Sequence, residues 1–480
     1  MTARLLGEVG SLLQAARRAA RGSVAEQLEA ASQRLGEPLR VAIAGRLKAG
    51  KSTLVNALVG EKVAATDATE CTRIITWYEN GPTYAALRRA ADGLERNVKF
   101  ERDGITTRII MDGEEPFADD EHLHLRMPSP TLRAMTLVDT PGIDTTSDEL
   151  SRRSAAFFGA PTEVSPVDAV VYVVQHTHPE DVAFLEAFHG DLASGSPMNA
   201  IGVLSRADEV GGGDLDAMEV AATIARRHAT DPVVRRLVQS VEPVSGLTGT
   251  GGATLRERHF SALKELASWP DRERALLGVQ TLLSAVEHSP SPATRLELVD
   301  ELGIFGVRVA VDLIVSGEAV TSPQLSDVLL EVSGIRSLRR VLSSRLGERG
   351  DLLKARSALA AVANAIEALP ESEASAVARQ LEAVVAGAHE LAELAALDEL
   401  RQSPGILGEE DTARLERLLG GTGANPAQRV GLDGAASAAD MEEAVRTELS
   451  HWRRIGELGL VPGSRHLADV AIRTCEGVLG

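Results

Sequence analysis

The first half of the chain carries short apolar runs of the kind that form buried β-strands. They lie at residues 41–44, 134–138, 168–175 and 200–204, and longer segments with helical periodicity separate them. This alternation is typical of a doubly wound α/β fold with a mostly parallel sheet. We therefore predict one such domain over residues 38–269.

Beyond residue 270 the strand pattern gives way to helical periodicity. Ala, Leu, Glu and Arg dominate this part of the chain, and the pattern predicts no further strand. Pro290 and Pro292 predict a break between two helical pieces. The sequence thus predicts an all-α neck and trunk region, residues 270–480. Its helices are predicted at residues 271–288, 293–316, 321–346, 351–369, 372–401, 409–420 and 437–479.

The amino terminus also has a helical pattern. Apolar positions recur with a helical period over residues 3–34, which predicts one helix in a segment, residues 1–37, that joins the helical neck. Its apolar face fits either a membrane surface or other helices of the same chain. We favour the second interpretation, because the face is mostly Ala and Leu and has no aromatic residue.

The most informative motif is the sequence GRLKAGKS at residues 45–52, between the first strand and an apolar helix. A glycine-rich turn in this context is a phosphate-binding P-loop, whose backbone N–H groups surround the phosphates of a nucleotide. Lys51 is predicted to reach the β- and γ-phosphates, and the Ser52 hydroxyl to bind Mg²⁺. The predicted nucleotide contacts are Gly45, Arg46, Leu47, Lys48, Ala49, Gly50, Lys51, Ser52 and Thr53.

The segment DTPG, residues 139–142, follows the second predicted strand. Asp139 is expected to hold a water molecule bound to Mg²⁺, and the Gly142 N–H to contact the γ-phosphate. Because the second contact requires a triphosphate, the segment after Gly142 is predicted to change conformation with the nucleotide.

The segment SRAD, residues 205–208, resembles the guanine-reading motif of GTPases. A carboxylate at the position of Asp208 accepts two hydrogen bonds from guanine, and adenine offers no such pair of donors. Ser205 replaces an Asn whose amide would tie neighbouring loops together. Arg206 replaces a Lys whose stem would lie along the base, a place that an arginine also fills.

Ser245 and Gly246 follow another apolar strand and resemble the last GTPase motif, in which a backbone N–H meets the guanine oxygen. This motif and the SRAD segment are weak signals when each stands alone. In this order after a P-loop and a DTPG segment, they favour GTP over ATP.

Composition narrows the functional classes further. The formal net charge of −19 over 480 residues argues against nucleic acid as a partner and against strong nonspecific binding to anionic lipid. Two cysteines, Cys71 and Cys475, cannot make a disulfide framework, which fits a reducing cytosol. No apolar run approaches the ~20 residues that span a bilayer, and no signal peptide opens the chain. These features predict a cytoplasmic protein of two or three domains.

The distance along the chain between the P-loop and the DTPG segment is unusually long. Lys51 and Asp139 are 88 positions apart (139 − 51), which is more than a small GTPase core requires. We therefore predict additional strands or an insertion near residues 79–133, and a large GTPase.

The order of the motifs, the N-terminal helix and the helical remainder resemble the bacterial dynamin-like GTPases. The apolar–Lys pair Leu47–Lys48 and the segment ECTR at residues 70–73 are similar to those of the family. The resemblance implies that Thr72 is the switch I threonine. The implied metal-binding residues are Ser52, Thr72 and Asp139.

The resemblance also implies an activity and partners. It implies GTP hydrolysis with Mg²⁺ as cofactor, and association of GTPase heads with one another or with a second dynamin-like protein. It further implies membrane remodelling or cell-envelope maintenance, with membrane lipid as a candidate partner at the inner face of the cell membrane. A GTP-dependent protein-interaction switch without direct membrane action is the alternative that the residues leave open.

The sequence departs from the eukaryotic dynamins at the catalytic positions. They place Gln and Ser where this chain has Leu47 and Lys48, and Ile143 leaves no Ras-type Gln after Gly142. No side chain is thus predicted to orient the attacking water, which predicts slow hydrolysis by an isolated molecule. Lys48 fits either solvent or the head of a partner molecule. The candidate catalytic residues are Lys48, Lys51 and Thr72.

Two segments of the helical region bear on membrane contact. The most apolar one, residues 303–315, contains Arg308 and Asp312 one helical turn apart, and their pairing would suit a buried helix. Ile406 and Leu407 are candidates for an apolar tip, although two such side chains supply only ~3 kcal/mol on full burial.

Charge is also segregated within the helical region. The charged side chains of residues 336–356 are mostly basic, and those of residues 361–402 are mostly acidic. The favoured interpretation is an antiparallel pair of helices with complementary faces, and the alternative is a patch that binds lipid phosphate.

Overall fold

The computed structural model describes residues 2–64, 74–90, 93–110, 117–118, 121–142, 165–175, 196–285, 289–423, 425–433, 436–458 and 463–479. Its strands are β1 (Leu39–Gly45), β2 (Thr76–Asn80), β3 (Ala85–Arg89), β4 (Glu95–Asn97), β5 (Phe100–Asp103), β6 (Thr106–Ile109), β7 (His122–Met127), β8 (Met135–Asp139), β9 (Ala169–Val174), β10 (Ala200–Ser205) and β11 (Val241–Val244). Nine of them form one sheet in the order β11-β10-β9-β1-β8-β2-β7-β3-β4, and β5 pairs with β6.

The centre of the sheet is parallel, as the apolar runs predicted. β1 pairs with β8 on one side and β9 on the other, and β10 and β11 continue the parallel array beyond β9. Their carboxyl ends therefore share one edge, which is where open α/β sheets bind ligands. The doubly wound α/β class predicted for this part of the chain is confirmed.

The additional strands predicted near residues 79–133 are present. β2 runs antiparallel to β8, and β7, β3 and β4 extend the sheet from β2. The β5–β6 hairpin lies beside the P-loop helix, because Lys62 makes backbone hydrogen bonds with Ile105 and Thr107. In the described part of the chain, strands β2 to β7 thus lie within the long spacing between Lys51 and Asp139.

The helices before and around the sheet are α1 (Thr2–Ala19), α2 (Gly22–Arg34), α3 (Lys51–Val59), α4 (Pro130–Ala134), α5 (Ala217–Thr230), α6 (Pro232–Arg235), α7 (Gly246–Ala253) and α8 (Glu257–Ala267). The helical region continues with α9 (Arg272–Ala275), α10 (Val279–Ser284), α11 (Pro292–Ser316), α12 (Ser322–Val332), α13 (Ile335–Val341), α14 (Gly350–Ile366), α15 (Glu371–Gly387), α16 (His389–Gln402), α17 (Glu409–Leu418), α18 (Pro426–Arg429), α19 (Ala438–Leu458) and α20 (Ser464–Leu479). Beyond residue 270 the described residues contain no strand, in agreement with the predicted all-α region.

Several predicted helices are divided in the structure. The helix predicted over residues 3–34 breaks before Gly22, because Arg21 is extended with φ −136° and ψ 158°. Gly334, with φ 77°, separates α12 from α13, and Ala388, with φ −96° and ψ 92°, separates α15 from α16. Within α11, Gly303 has φ 72° and ψ 163° and kinks the helix. The apolar period continues across these positions, so it does not reveal the breaks.

The helical region shares a hydrophobic core with the sheet. Val41 and Leu137 on one face of the sheet belong to the same apolar cluster as Leu346, Leu397 and Trp452 of the helical region. The opposite face is covered by α5 and α6. The division at residues 37/38 and 269/270 remains a prediction, since both boundaries lie between segments that pack on one another.

The N-terminal helix packs on other helices of the same chain, as the favoured interpretation predicted. Val9, Leu12 and Ala16 of α1 are fully buried and form a cluster with Ala358 and Val362 of α14. The apolar face of α1 therefore belongs to the protein interior.

The favoured interpretation of the basic segment 336–356, a helix pair held by complementary charged faces, is wrong, and the lipid-phosphate patch stays a prediction. One ion pair in the described residues, Arg356 with Asp398 at 3.1 Å, links it to the acidic segment 361–402. Three partly buried arginines of the segment donate to backbone carbonyls instead: Arg339 to Ala57 and Leu58, Arg345 to Gln239, and Arg349 to Leu419. A guanidinium has five donors and can satisfy carbonyls at helix and strand ends, which a count of charges along the sequence does not reveal.

The predicted pairing of Arg308 with Asp312 is also wrong. The Arg308 guanidinium donates to the carbonyls of Gly213, Leu276 and Leu277, and Asp312 is exposed. The helix is buried as predicted, but through the side chains on its apolar face, such as Phe305.

Ile406 and Leu407 do not form an exposed apolar tip. Both side chains are half-buried and pack against the core that the sheet shares with the helical region. None of the described helices is both long and apolar enough to cross a membrane.

Candidate nucleotide-binding site

The predicted motifs meet at the carboxyl edge of the sheet. β1 ends at Gly45, β8 at Asp139, β10 at Ser205 and β11 at Val244. These strands run parallel in one array, so the loops that follow them lie on the same side of the sheet. Segments that are up to 200 residues apart (245 − 45) are thereby brought into one site.

Glycines allow the P-loop to pass close to its neighbours. A Cβ on Gly45 would lie 2.4 Å from the carbonyl oxygen of Val173, so no side chain fits there. Gly50, with a left-handed φ of 94°, is the N-cap of α3. α3 therefore begins directly after the loop, and its first N–H groups are available to an anion.

Lys51 lies inside this loop. It is only 7 % exposed, and its Nζ is 3.1 Å from the carbonyl oxygens of both Gly45 and Arg46. Burial lowers the pKa of Lys51, and the nearby carboxylate of Asp139 opposes this shift. The ammonium group is thus held at the centre of the phosphate-binding turn.

Ser52 and Asp139 form the candidate metal site. The Ser52 hydroxyl donates to Asp139 Oδ2 at 3.1 Å, whereas Oδ1 is buried and has no hydrogen-bond partner among the described residues. Burial raises the pKa of Asp139 to about 6, although Lys51 and Ser52 act in the opposite direction. A buried carboxylate oxygen without a donor, beside a serine hydroxyl, fits a hydrated Mg²⁺.

Gly142 lies against the P-loop. A Cβ at this position would come within 2.6 Å of Leu47 Cα and 3.0 Å of Lys51 Nζ. The start of the predicted switch segment is therefore in contact with the phosphate-binding turn. Thr72 and Ile143 lie outside the described residues, and their roles in metal binding and catalysis stay predictions.

Ser205 ties loops together, which is the function expected of the Asn that it replaces. Its Oγ is 2.7 Å from the carbonyl oxygen of Ala49 in the P-loop and 3.0 Å from that of Val174 at the end of β9. A shorter side chain thus links the predicted guanine-reading motif to the predicted phosphate-binding loop.

Lys48 and Arg206 have unusual backbone conformations. They are the non-glycine residues of the described chain with a left-handed φ, 62° and 50° respectively. Arg206 Nη2 lies 3.4 Å from the Lys48 carbonyl oxygen, so the two strained residues are neighbours. Strain of this kind concentrates at functional sites. Both side chains are exposed, which leaves Lys48 accessible to solvent and to a partner molecule.

Asp208, Ser245 and Gly246 form the candidate base-binding part. Burial raises the pKa of Asp208, and a hydrogen bond from Ser245 opposes the shift. Ser245 is fully buried and caps α7 by accepting a hydrogen bond from the Thr248 N–H. A Cβ on Gly246 would lie 3.2 Å from Thr53 Cγ2, so this motif packs directly on the P-loop helix.

One residue of the site was missed by the sequence analysis. The Gln175 side chain donates from Nε2 to the Lys48 carbonyl oxygen at 3.0 Å and so supports the outer part of the P-loop. Its position directly after β9, at the carboxyl edge of a parallel strand, was the available signal.

Comparison with known proteins assigns this arrangement to a family. Residues 41–188, which include the P-loop and the DTPG segment, match the sequence model of the Dynamin family. The chain is also 36% identical over 468 residues to the isoniazid-induced protein IniC of Mycobacterium tuberculosis, covering 96% of this chain and 93% of IniC. The chain belongs to the dynamin family. Within it, this protein is a bacterial dynamin-like protein similar to IniC over nearly its whole length.

Other dynamin-like proteins match part of the chain. The isoniazid-induced protein IniA of M. tuberculosis is 34% identical over 128 residues, covering 26% of this chain and 20% of IniA. A bacterial dynamin-like protein of Nostoc punctiforme is 27% identical over 139 residues, again covering 26% and 20%. A solved structure of an oligomerised bacterial dynamin pair covers 99% of this chain and 79% of its own, with 13% identity and a TM-score of 0.30. At that score the assignment rests on the sequence relatives and the sheet topology.

The pKa of Asp139 leads to a prediction about stability. The folded-state value of about 6 lies above the ordinary value of 3.8, so ionisation of Asp139 at neutral pH destabilises the folded chain. Asp139→Asn cannot ionise, and its stability relative to wild type should rise from about pH 4 to about pH 6 and then level off. A difference of about two pKa units between the folded and unfolded chain changes the free energy of unfolding by at most about 3 kcal/mol. Chemical denaturation at pH 4 and pH 7.5 without Mg²⁺ measures the change.

A matched control is Asp216→Asn, because Asp216 is exposed and makes no side-chain cap hydrogen bond. The control should have the same free energy of unfolding as wild type at both pH values. A relative stability of Asp139→Asn that does not change with pH would show that Asp139 is ionised without cost.

Proposed function

We propose that this protein binds GTP with Mg²⁺ and hydrolyses it, slowly as an isolated molecule and faster when GTPase heads associate. The observation that carries the proposal is the meeting of Lys51, Asp139, Ser205 and Asp208 at one edge of a parallel sheet. Each of these side chains is partly or fully buried, and each supplies a different part of triphosphate recognition. Membership in the dynamin family supports the same activity.

The chain's own groups divide the work of binding. The turn from Gly45 to Gly50 and the first N–H groups of α3 bind phosphate oxygens, and Lys51 neutralises part of their charge. Ser52 would hold Mg²⁺ directly and Asp139 would hold it through water, with Thr72 as the proposed third contributor. Bound there, Mg²⁺ would supply neutralisation of phosphate charge.

Guanine selectivity is the sharpest test of the site. Asp208→Asn replaces a carboxylate that accepts two hydrogen bonds from guanine with an amide that accepts and donates. We expect the affinity for GTP to fall at least tenfold, about 1.4 kcal/mol. The affinity for XTP should rise relative to that for GTP, because the amide can donate to the xanthine oxygen. Fluorescence competition with GTP, XTP and ATP measures both effects.

Asp216→Asn serves again as the matched control, because the same chemical change is made on an exposed side chain nearby in the sequence. It should leave the order of the three nucleotides unchanged. Unaltered selectivity in Asp208→Asn would remove residues 205–208 from the base-binding site.

The cellular role that we propose is membrane remodelling or cell-envelope maintenance, with the protein cytoplasmic and peripheral at the inner face of the cell membrane. Self-association or a second dynamin-like protein would then complete the active assembly. This role is supported by the family and by the similarity to IniC over nearly the whole chain.

A second candidate function is a GTP-dependent protein-interaction switch without direct membrane action. The observation that favours it is that α1, residues 406–407 and the partly buried Arg339 and Arg349 all make contacts within the protein. Co-sedimentation with liposomes separates the two functions. Binding that requires a non-hydrolysable GTP analogue supports membrane action, and protein that stays in the supernatant in every nucleotide state supports the switch.

A further inference from the structure

The helical region reaches the base-binding part of the site at the kink of α11. Gly303, the residue at the kink, lies beside the base-reading carboxylate: a Cβ built on it would be 3.9 Å from Asp208 Oδ2. The same Cβ would be 3.4 Å from Leu247 Cδ2, and Leu247 follows the Ser245–Gly246 motif. Gly303 thus lies between the two segments that are expected to read guanine.

A hydrogen bond fixes this kink to α7. Thr248 Oγ1 donates to the Leu302 carbonyl oxygen at 3.0 Å, and the Thr248 hydroxyl also contacts Ser245 Oγ at 2.8 Å. The Leu302 carbonyl precedes the residue that leaves helical geometry. The hydroxyl of Thr248 therefore joins the cap of α7, in the base-binding motif, to the turn that places Gly303 beside Asp208.

Close backbone contact strengthens the same junction. A Cβ on Gly251 of α7 would lie 2.4 Å from the Glu301 carbonyl oxygen, and one on Gly306 of α11 would lie 3.0 Å from Thr248 Oγ1. The first contact is with backbone and leaves room only for glycine at residue 251, whereas the second is a tight contact with a side chain. α7 and α11 therefore pack closely at this junction.

Arg308 fixes the other wall of the pocket. Its guanidinium donates to the Gly213 carbonyl oxygen, in the loop that begins at Asp208, and to the carbonyls of Leu276 and Leu277. Arg308 lies on α11 little more than one turn after Gly303. One helix thus contacts both the loop that carries Asp208 and the helix that Ser245 caps.

We propose that α11 completes the guanine-binding pocket, and that Gly303 is a specificity-determining residue whose missing side chain leaves Asp208 free to accept both hydrogen bonds from the base. The inference rests on the proposed binding of GTP. A Cβ at residue 303 would be in van der Waals contact with Asp208 Oδ2 and Leu247 and would fill the space beside that oxygen. The residue would also need the φ of 72° and ψ of 163° that only glycine adopts readily. Guanine recognition is then a property of the sheet and the helical region together.

Gly303→Ala tests this role with three probes that share the phosphate-binding turn. GTP offers Asp208 two donors, ITP lacks the exocyclic amine and offers one, and inorganic tripolyphosphate offers none. We expect at least a tenfold loss of GTP affinity, a smaller loss for ITP, and tripolyphosphate affinity within twofold of wild type. The discrimination between GTP and ITP therefore shrinks. Calorimetry or competition with a fluorescent GDP analogue on the full chain measures all three.

The matched control is Gly317→Ala, at the end of the same helix. Gly317 has a φ of 80° and no atom within 4 Å of a built Cβ, so the variant loses the glycine's backbone freedom without crowding any neighbour. It lies about 20 Å further along the helix. Gly317→Ala should bind all three probes like wild type. Equal losses in the two variants would overturn the proposal, because a change that fills no space beside Asp208 would then have the same effect. The ψ of 163° at Gly303 strains an alanine more than the ψ of 11° at Gly317. Variants of Thr248, which leave residue 303 a glycine, therefore separate backbone strain from the side-chain contact.

A second pair of variants decides the question if Gly303→Ala does not fold. Thr248→Val removes the donor to the Leu302 carbonyl, and Thr248→Ser keeps it. We expect a threefold to tenfold loss of GTP affinity and reduced discrimination against ITP in the first variant, and values within twofold of wild type in the second. Unchanged discrimination in both Gly303→Ala and Thr248→Val, or in Thr248→Val alone if the other variant is unfolded, would overturn the proposal. Failure of wild type to bind any guanine nucleotide would instead overturn the proposed function itself.

Discussion

Lys51→Ala should reduce GTP binding by at least about a hundredfold, roughly 3 kcal/mol, and leave the fold intact. The Lys51 ammonium is the buried cation of the P-loop, held between the carbonyl oxygens of Gly45 and Arg46. A hydrogen bond to a charged group contributes about 1.5–3 kcal/mol. The Lys51 ammonium is expected to bind both the β- and the γ-phosphate. Titration with a fluorescent GDP or GTP analogue measures the loss, and circular dichroism reports the fold.

Lys99→Ala is the matched control for this experiment, because Lys99 is exposed between two strands of the inserted part of the sheet. It removes one lysine from the same half of the chain and should bind GTP like wild type. Micromolar GTP binding retained by Lys51→Ala would mean that residues 45–52 are not the phosphate-binding loop.

The GTPase rate per molecule should rise at least tenfold with protein concentration, or on addition of a dynamin-like partner or liposomes. Leu47 stands where the eukaryotic dynamins place a water-orienting Gln, and its side chain is 45% exposed. A group added by a second molecule increases the rate of other GTPases by 10³–10⁵. Lys48 is exposed next to Leu47, so both side chains are accessible to a docking head.

Steady-state phosphate release over a hundredfold range of concentration measures this effect. GDP with aluminium fluoride, a mimic of the transition state, should shift the protein to dimers in light scattering under the same conditions. Lys99→Ala should keep the full concentration dependence. A flat rate with no response to partner or membrane would remove the dynamin-type mechanism and leave the interaction switch.

Local signals predicted the phosphate-binding half of the site. A P-loop is a continuous segment whose glycines are required by backbone geometry, so residues 45–52 identify it without knowledge of the fold. Asp139 and Asp208 were also predicted from local signals, since each ends a short apolar strand or follows one, and their roles stay predictions. Parallel pairing then brings strand ends together at one edge, and this is a general property of such sheets.

Contacts between distant segments were not predictable from the same signals. Gly303 lies 95 positions after Asp208 (303 − 208), and a lone glycine in a helical pattern predicts only a weak point. The partners of Arg308 and Arg349 are backbone carbonyls, and every residue has one, so the sequence does not reveal which are chosen. The break at Arg21 was missed because the apolar period continues across it.

The arginines bonded to carbonyls change the meaning of the chain's composition. The sequence has six lysines and 44 arginines, a bias that by itself indicates the base composition of a genome. Arg308 alone donates to three carbonyls from two segments, and lysine, whose donors all sit on one nitrogen atom, cannot span them. Whatever caused this bias, the fold now requires arginine at the positions where one side chain donates to several backbone carbonyls. Genetic drift towards lysine would be tolerated on the surface of this protein and selected against where its segments join.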